Sequence, residues 1–178
     1  MRNETKQTDR RVIRTKREIF NSLTQLLEQK SIDEITVKEI TDLAGINRGT
    51  FYLHYVDKYD LLEKSVNEII YEMRDLGKVI LHKVSENEDP EMVKEEVIKS
   101  MSDIFDYVKN NHRFIRCLMS ENSTYLFHHK FNEILKDHFV EKMQGPSLKV
   151  LTVYLVSAAS YAYQGLIQTW LESDMSET

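Results

Sequence analysis

The stretch Thr36–Leu62, TVKEITDLAGINRGTFYLHYVDKYDLL, constrains the fold more than any other part of the chain. It reads as a short helix, a tight turn, a second short helix and the start of a long third one. Thr36 is placed to cap with its hydroxyl, Glu39 to reach back to the cap amide, and Ile35 to staple onto Ile40. Val37, Ile40, Leu43 and Ala44 then repeat at helical spacing, which predicts one buried stripe on a helix of about two turns. Gly45 stands where a left-handed residue ends such a helix. Asn47 is placed to cap a helix over Arg48–Leu53 and Asp57 the one after, with Val56 and Leu61 as a second staple. Two short helices joined by three or four residues that include a glycine form the helix-turn-helix pattern, whose second helix enters the major groove of DNA.

Charge has to be read locally for that idea to stand. The chain of 178 residues carries a net charge of −5, which disfavours DNA binding if taken as an average. Residues 1–17, however, hold Arg2, Lys6, Arg10, Arg11, Arg14, Lys16 and Arg17 against Glu4 and Asp9 only. The remainder is acidic. A basic arm beside a helix-turn-helix suits phosphate binding, while an acidic body keeps non-specific affinity modest.

The first helix is predicted from near Asp9 to about Gln29, with Ile19, Phe20, Leu23, Leu26 and Leu27 on one apolar face. Residues 29–34 read as a loop. With the two short helices the first helix makes a three-helix unit over residues 9–54, built around Phe20, Leu23, Leu27, Ile40, Leu43, Ile46 and Phe51. From Lys58 the apolar positions Leu61, Leu62, Val66, Ile69, Ile70, Met73, Leu76 and Ile80 predict a helix over 58–82, about 37 Å long at 1.5 Å per residue. Ser85–Asp89 is a polar break, and Asp89-Pro90 pairs a cap with proline at the first helical position. Further helices are expected over residues 90–110, around His112–Ser120 and around Thr124–Met143, with a break at Gly145-Pro146. Ser147–Leu171 is the most hydrophobic stretch. It reads as a helix buried on several faces, by its own subunit on one side and by a partner on the other, with small residues over Ser157–Ser160 and at Ala162.

Several classes are disfavoured. No run of some eighteen apolar residues spans a membrane, and the polar N-terminus carries no apolar signal core, so a cytoplasmic protein without membrane association is expected. The single cysteine, Cys117, excludes an internal disulfide framework and suits a reducing compartment. His128-His129 and His112 lack the i, i+4 spacing of a helical metal site and read as surface histidines. No nucleophile elbow, phosphate-binding glycine loop or paired carboxylates in an apolar setting are present. No cofactor and no enzymatic activity are expected.

The ordered set Ile35-Thr36-Val37, Ala44-Gly45-Ile46, Gly49-Thr50-Phe51-Tyr52, His54-Tyr55, Lys58 and Leu61-Leu62 resembles the tetracycline-repressor (TetR) family of bacterial transcription regulators over residues 9–65. Gly165-Leu166-Ile167 with Trp170-Leu171 looks like the final conserved helix of a subgroup from Gram-positive bacteria. The resemblance implies an all-α protein. An N-terminal helix-turn-helix domain, residues 1–56 with its basic arm, would be joined by a long connecting helix to a helical-bundle domain, residues 57–178, for ligand binding and dimerisation. Two departures stand out. Asn21-Ser22 occupies positions where the family usually places alanines, and Asp174–Glu177 falls where many relatives begin another helix that forms half of the dimer bundle.

The resemblance maps DNA contacts onto Asn47, Arg48, Gly49, Thr50, Tyr52 and His54. Physical reasons agree with it. Arg48 is the only lysine or arginine between Lys38 and Lys58, and arginine pairs bidentately with guanine O6 and N7. Gly49 lets backbone approach the groove. Tyr52 and Tyr55 carry hydroxyls able to reach phosphates, although Tyr55, like Phe51, reads equally as core. Lys58 sits in the first turn of a helix whose amides favour phosphate. Thr36 and Lys38 are placed for the opposite backbone, and Arg10, Arg11 and Arg14 for flanking phosphates or the minor groove. Thr36 and Asn47 are caps first and contacts second.

The C-terminal half is rich in residues that line apolar pockets: Met73, Met101, Phe105, Met119, Tyr125, Phe131, Tyr154, Tyr161 and Trp170, with Gln164 and Tyr161 able to orient a ligand. At helical spacing such residues are also ordinary core. The expected partners are double-stranded operator DNA, a second copy of the chain, and a small apolar or aromatic effector. Effector binding would shift the long helix and move the two recognition helices out of register with major grooves about 34 Å apart. The alternative is a regulator or activator subunit of the same fold that acts through a protein partner and has no effector of its own.

Overall fold

The computed structural model describes residues 2–86, 89–120, 127, 129, 130, 132, 133 and 149–176, all of its regular structure helical and with no strand among them. The expected helix over 124–143 falls mostly outside these residues, as does the Gly145-Pro146 break. In order the helices are α1 (Arg2–Leu27), α2 (Val37–Ala44), α3 (Arg48–Tyr52), α4 (Lys58–Glu86), α5 (Pro90–Asn110), α6 (His112–Met119) and α7 (Lys149–Glu172). The chain divides into two compact units, Met1–Asn67 and Glu68–Thr178, and α4 contributes to both.

In the first unit α1 packs on α2 and α2 on α3. Ile19, Leu23, Ile35, Ile40, Phe51, Leu61 and Val66 are fully buried, and each large apolar side chain removed from water stabilises the unit by about 1.5–3 kcal/mol. Ser22, Thr24 and Thr41 are buried too, and each hydroxyl donates to a carbonyl of its own helix, those of Glu18, Phe20 and Lys38. Ser22 therefore behaves as a small residue with a satisfied hydroxyl, which explains how it stands where alanine was expected.

The helix ends follow from local chemistry. Thr36 Oγ1 accepts from the Glu39 N–H at 3.2 Å, and Glu39 Oε2 accepts from the Thr36 N–H at 2.9 Å, a reciprocal capping box. Gly45, at φ +64°, closes α2: its N–H reaches the Asp42 carbonyl, and the Ile46 N–H reaches that of Thr41. Asn47 Oδ1 accepts from the Gly49 N–H at 2.9 Å, and Asp57 Oδ1 from the N–H groups of Tyr59 and Asp60. Asp89 caps α5 through the Glu91 N–H, with Pro90 in the first turn.

Tertiary packing corrects several expectations. Leu43 is 45% exposed, because the buried face of α2 is centred on Ile40 and Thr41. Val56 is 76% exposed while Leu61 is fully buried, so the second staple does not form. Phe20, Leu27 and Ile46 are half-buried. The segment before α2 is not a plain loop: Ile32–Glu34 forms a 3-10 turn, in which Glu34 accepts from the Ser31 N–H and Ile32 inserts into the core. Helix α1 begins at Arg2 instead of near Asp9, since nothing in RNETKQT breaks a helix, and α4 runs on to Glu86.

In the second unit α5 packs on α6 and α6 on α7. Phe114, Ile115, Leu118 and Met119 on α6 meet Ile167, Trp170 and Leu171 in its core, and Phe105 stands edge-on to Trp170 at 5.0 Å. Arg116 Nη2 donates to the Leu171 carbonyl at 2.7 Å and to Asp174 Oδ1 at 3.0 Å, capping the end of α7. Asp174 and Met175 follow in the left-handed region, at φ 52° and 58°.

Candidate nucleic-acid interface

The short α3 is held from beneath. Phe51 is fully buried, with the Tyr52 ring edge-on to it at 5.4 Å and the Tyr55 ring tilted against it at 5.5 Å. This anchoring fixes the rotation of a helix of five residues, too short to be stable alone. Arg48, Gly49 and Tyr52 consequently face solvent, with Asn47 at the N-terminal end and Thr50 half-buried. Arg48 Nη2 donates to the Tyr52 hydroxyl at 3.3 Å, one helical turn away. His54 and Tyr55 are half-buried against each other, their rings 6.3 Å apart, and the Lys64 ammonium lies 5.5 Å from the Tyr55 ring centre.

Residues expected at the edges of the site have mixed surroundings. Thr36 and Lys38 are exposed at the start of α2, and Arg10, Arg11 and Arg14 are exposed along α1. Thr36 is engaged by the capping box, and Asn47 by its own cap. Lys58 Nζ donates to the Asp33 carbonyl at 2.7 Å and to the Ile35 carbonyl at 2.8 Å. Two of its three donors thus bind the 3-10 turn, which leaves one for a phosphate. Beside it the Tyr59 hydroxyl donates to Asp33 Oδ1 at 2.9 Å, and that carboxylate pushes the phenol above its usual range.

Other carboxylates of the unit are shifted the other way. The Lys30 ammonium, with the Thr36 hydroxyl and amide, holds Glu39 down to about 2. Lys64 and the Val56 N–H keep Asp60 below its ordinary value. Glu39 and Asp60 are therefore neutralised by neighbours within the unit, which lessens their repulsion of a polyanion.

Sequence reasoning missed Leu53, which at 80% exposure projects just beyond α3. The signal was available: an apolar side chain one residue beyond Tyr52, in a helix whose inward position is already taken by Phe51. Tyr59 was missed as well, because its partner Asp33 lies 26 residues back.

The aromatic and methionine residues of the second unit separate into two groups. Met73, Met119, Gln164 and Trp170 are buried and Phe105 is half-buried, with Gln164 Nε2 donating to Asn132 Oδ1 at 3.3 Å. Tyr154 and Tyr161 are instead 70% and 66% exposed on the outer side of α7. Tyr125 and Phe131 lie outside the described residues, as does the side chain of Met101. A groove of about 360 Å³ opens between α6 and the end of α7, lined by Arg116, Met119, Ser120, Gln168, Leu171 and Glu172. The Trp170 indole N–H is buried and has no hydrogen-bond partner among the described residues.

Among the described residues no three His, Cys, Asp or Glu side chains are arranged to hold a metal ion, and no helix is long and apolar enough to cross a membrane. His112 Nδ1 donates to the Lys109 carbonyl at 2.8 Å, and His129 faces Glu133 at 3.5 Å.

Comparison with known proteins gives five likenesses. Residues 16–64 match the family described as bacterial regulatory proteins, tetR family, and residues 95–178 match a transcriptional regulator C-terminal region. An uncharacterized HTH-type transcriptional regulator of Bacillus subtilis (strain 168), YxbF, is 25% identical over 160 residues, 88% of this chain. The chain spans 40% of the length of that relative. Two solved structures share the fold. The fatty acid degradation regulator FadR from Bacillus halodurans is 16% identical with a TM-score of 0.56. NalD, the secondary repressor of the MexAB-OprM multidrug efflux pump in Pseudomonas aeruginosa, is 17% identical with a TM-score of 0.60. In each case the likeness covers 92% of this chain and 87% of the other.

Proposed function

The chain belongs to the tetR family of bacterial regulatory proteins, DNA-binding regulators of transcription, and from that premise we propose that it is a homodimeric repressor, released from a palindromic operator by a small-molecule effector. The carrying observation is the presentation of α3, with Phe51 locked into the core and Arg48 and Tyr52 turned outward. Asn47, Arg48, Gly49, Thr50 and His54 would meet the groove, with Tyr52 beside Arg48, and the exposed Thr36, Lys38, Arg10, Arg11 and Arg14 would meet phosphates. Tyr55 and Lys58 serve the scaffold first. Operator binding places the protein with the chromosome, hence in the cytoplasm.

A second copy is favoured by the outer face of α7. Tyr154, Ala158, Tyr161, Ala162, Gly165 and Leu166 are all exposed there, an apolar strip with small residues that lets helices approach closely. An effector is favoured by the buried apolar side chains Met73, Met119 and Trp170, with Phe105 edge-on to Trp170, and by the Trp170 indole N–H, which has no partner among the described residues and is able to hold an acceptor oxygen. The effector must bind one spacing of the two α3 helices more tightly than the other to release DNA. A regulator working through a different protein chain would use the same α7 face, so sedimentation of the purified chain separates the two readings.

The test is a fluorescence-anisotropy titration against the DNA upstream of the protein's own gene. Wild type is expected to bind with a steep salt dependence and Arg48→Ala to lose at least tenfold in affinity, about 1.4 kcal/mol. Equal binding by the two proteins would show that α3 does not read this DNA.

A further inference from the structure

We propose that Tyr52 is a positioning residue for Arg48, its hydroxyl holding the guanidinium so that a single arginine reads a guanine in one register. The proposal rests on the reading of α3 as the groove-reading helix. Three observations carry it. Arg48 Nη2 donates to the Tyr52 hydroxyl at 3.3 Å, and the two residues are one turn apart on the same face of α3. The Tyr52 ring is not a loose surface group, because it stands at 88° to the fully buried Phe51 ring at 5.4 Å. Its hydroxyl is therefore the end of a stiff lever with two rotatable bonds, rooted in the core. Finally, Arg48 is the only lysine or arginine between Lys38 and Lys58, so cationic reading along α3 depends on this one side chain.

The donor inventory fits. A guanidinium has five N–H groups, and the bond to Tyr52 uses one of the two on Nη2. The second N–H of Nη2 and both on Nη1 remain for guanine O6 and N7, the bidentate edge. A free arginine samples many rotamers and loses that freedom on docking, whereas one already tied to a rigid phenol loses less. Tyr52 retains its own O–H for donation, and the guanidinium polarises that group.

The competing description makes Tyr52 a phosphate ligand in its own right, with the contact to Arg48 incidental. The two differ in what they do to base preference. The experiment uses the full-length protein and its own operator duplex, narrowed by footprinting, with each guanine of one half-site replaced in turn by 7-deazaguanine to delete N7. A scrambled duplex reports non-specific binding. Wild type, Tyr52→Phe, Arg48→Ala and the double variant are titrated on every duplex, and circular dichroism checks that Tyr52→Phe, which keeps the ring, is folded.

Wild type is expected to lose about tenfold at one 7-deazaguanine position. Tyr52→Phe should bind the native duplex about five- to tenfold more weakly, with a smaller penalty at that position and unchanged affinity for the scrambled duplex. The double variant should bind no more weakly than Arg48→Ala alone. An equal loss by Tyr52→Phe on native, modified and scrambled duplexes, additive with Arg48→Ala, would overturn the proposal in favour of a phosphate contact. Tyr52→Phe behaving as wild type throughout would overturn it too. A different result, Arg48→Ala binding the native duplex as tightly as wild type, would instead remove the groove-reading role of α3 and the proposal with it.

Discussion

The Lys30 ammonium pairs with the Glu39 carboxylate across nine residues, tying the turn after α1 to the capping box that starts α2. Glu39 thus serves two partners at once, a cation on one oxygen and the Thr36 amide and hydroxyl on the other. Lys30 contributes most, followed by the Thr36 bonds, and together they hold the carboxyl at about 2 against an ordinary 4.5. A depressed folded-state value means that the ionised form favours the folded state. The stabilisation is fully present above the ordinary value and is lost as pH falls from about 5 toward 2. The protection factors of the α2 amides, their exchange referred to the rate of an unstructured chain at the same pH, should fall over that window in the wild type. In Glu39→Gln they should start lower at neutral pH and change less on acidification. A wild-type protection factor constant from pH 5 to pH 2.5 would contradict the linkage.

Lys58 illustrates a residue with two candidate employments. Its bonds to the Asp33 and Ile35 carbonyls make it a brace between the 3-10 turn and α4. Lys58→Met should therefore lower the stability of the N-terminal unit by about 1–2 kcal/mol in urea unfolding. A lysine serving phosphate alone would leave stability untouched and reduce the slope of log K against log salt by about one. Both effects are expected here, with the stability loss readable in the absence of DNA.

Gly45 and Gly49 look alike in sequence and should behave oppositely. At Gly45, with φ +64°, a side chain would meet no neighbour, so Gly45→Ala is penalised by backbone strain alone, about 1–2 kcal/mol. Gly49 has ordinary helical backbone, and a Cβ there would meet only Asn47 Oδ1 at a comfortable 3.6 Å. Gly49→Ala should leave the protein as stable as wild type or up to about 1 kcal/mol more stable. Operator affinity should nevertheless fall at least tenfold, about 1.4 kcal/mol, because the methyl group enters the space that the groove would fill. Urea unfolding and anisotropy titration on both variants check the pair.

What was legible in the sequence was what depends on near neighbours. Thr36 with Glu39, Asn47, Asp57, Asp89 with Pro90, and Gly45 all act within one turn of themselves, and each was found where its spacing put it. Burial was less legible, since it depends on what arrives from elsewhere in the chain. Leu43 and Thr41 exchanged places because α1 meets the Ile40–Thr41 side of α2, and no periodicity within eight residues says which side that will be. Lys58 read as a phosphate clamp because the carbonyls it binds lie 23 and 25 residues earlier. Tyr161 read as a pocket residue because an apolar helix does not announce which of its faces its own chain will cover.

That uncovered face leads to the last prediction, which concerns Gly165. Glycine inside a helix costs about 1 kcal/mol relative to alanine, so its presence near the middle of α7 calls for a compensating reason. The described residues supply none: Gly165 is exposed, and a Cβ built there would meet none of them within 4 Å. Its neighbours on the surface, Tyr161 at 66% and Leu166 at 55% exposure, are large apolar groups left in water. A second α7 crossing at Gly165 would account for both, letting two backbones approach while the flanking side chains are buried. Gly165→Leu should then keep the helical circular dichroism of the wild type but convert a dimer to a monomer in sedimentation equilibrium. Operator affinity should fall steeply with it, because two linked half-sites bind far more tightly than one. Gly165→Ala, which adds a single methyl, should weaken the dimer less. A Gly165→Leu protein that sediments and binds as the wild type does would place the contact between subunits on another surface.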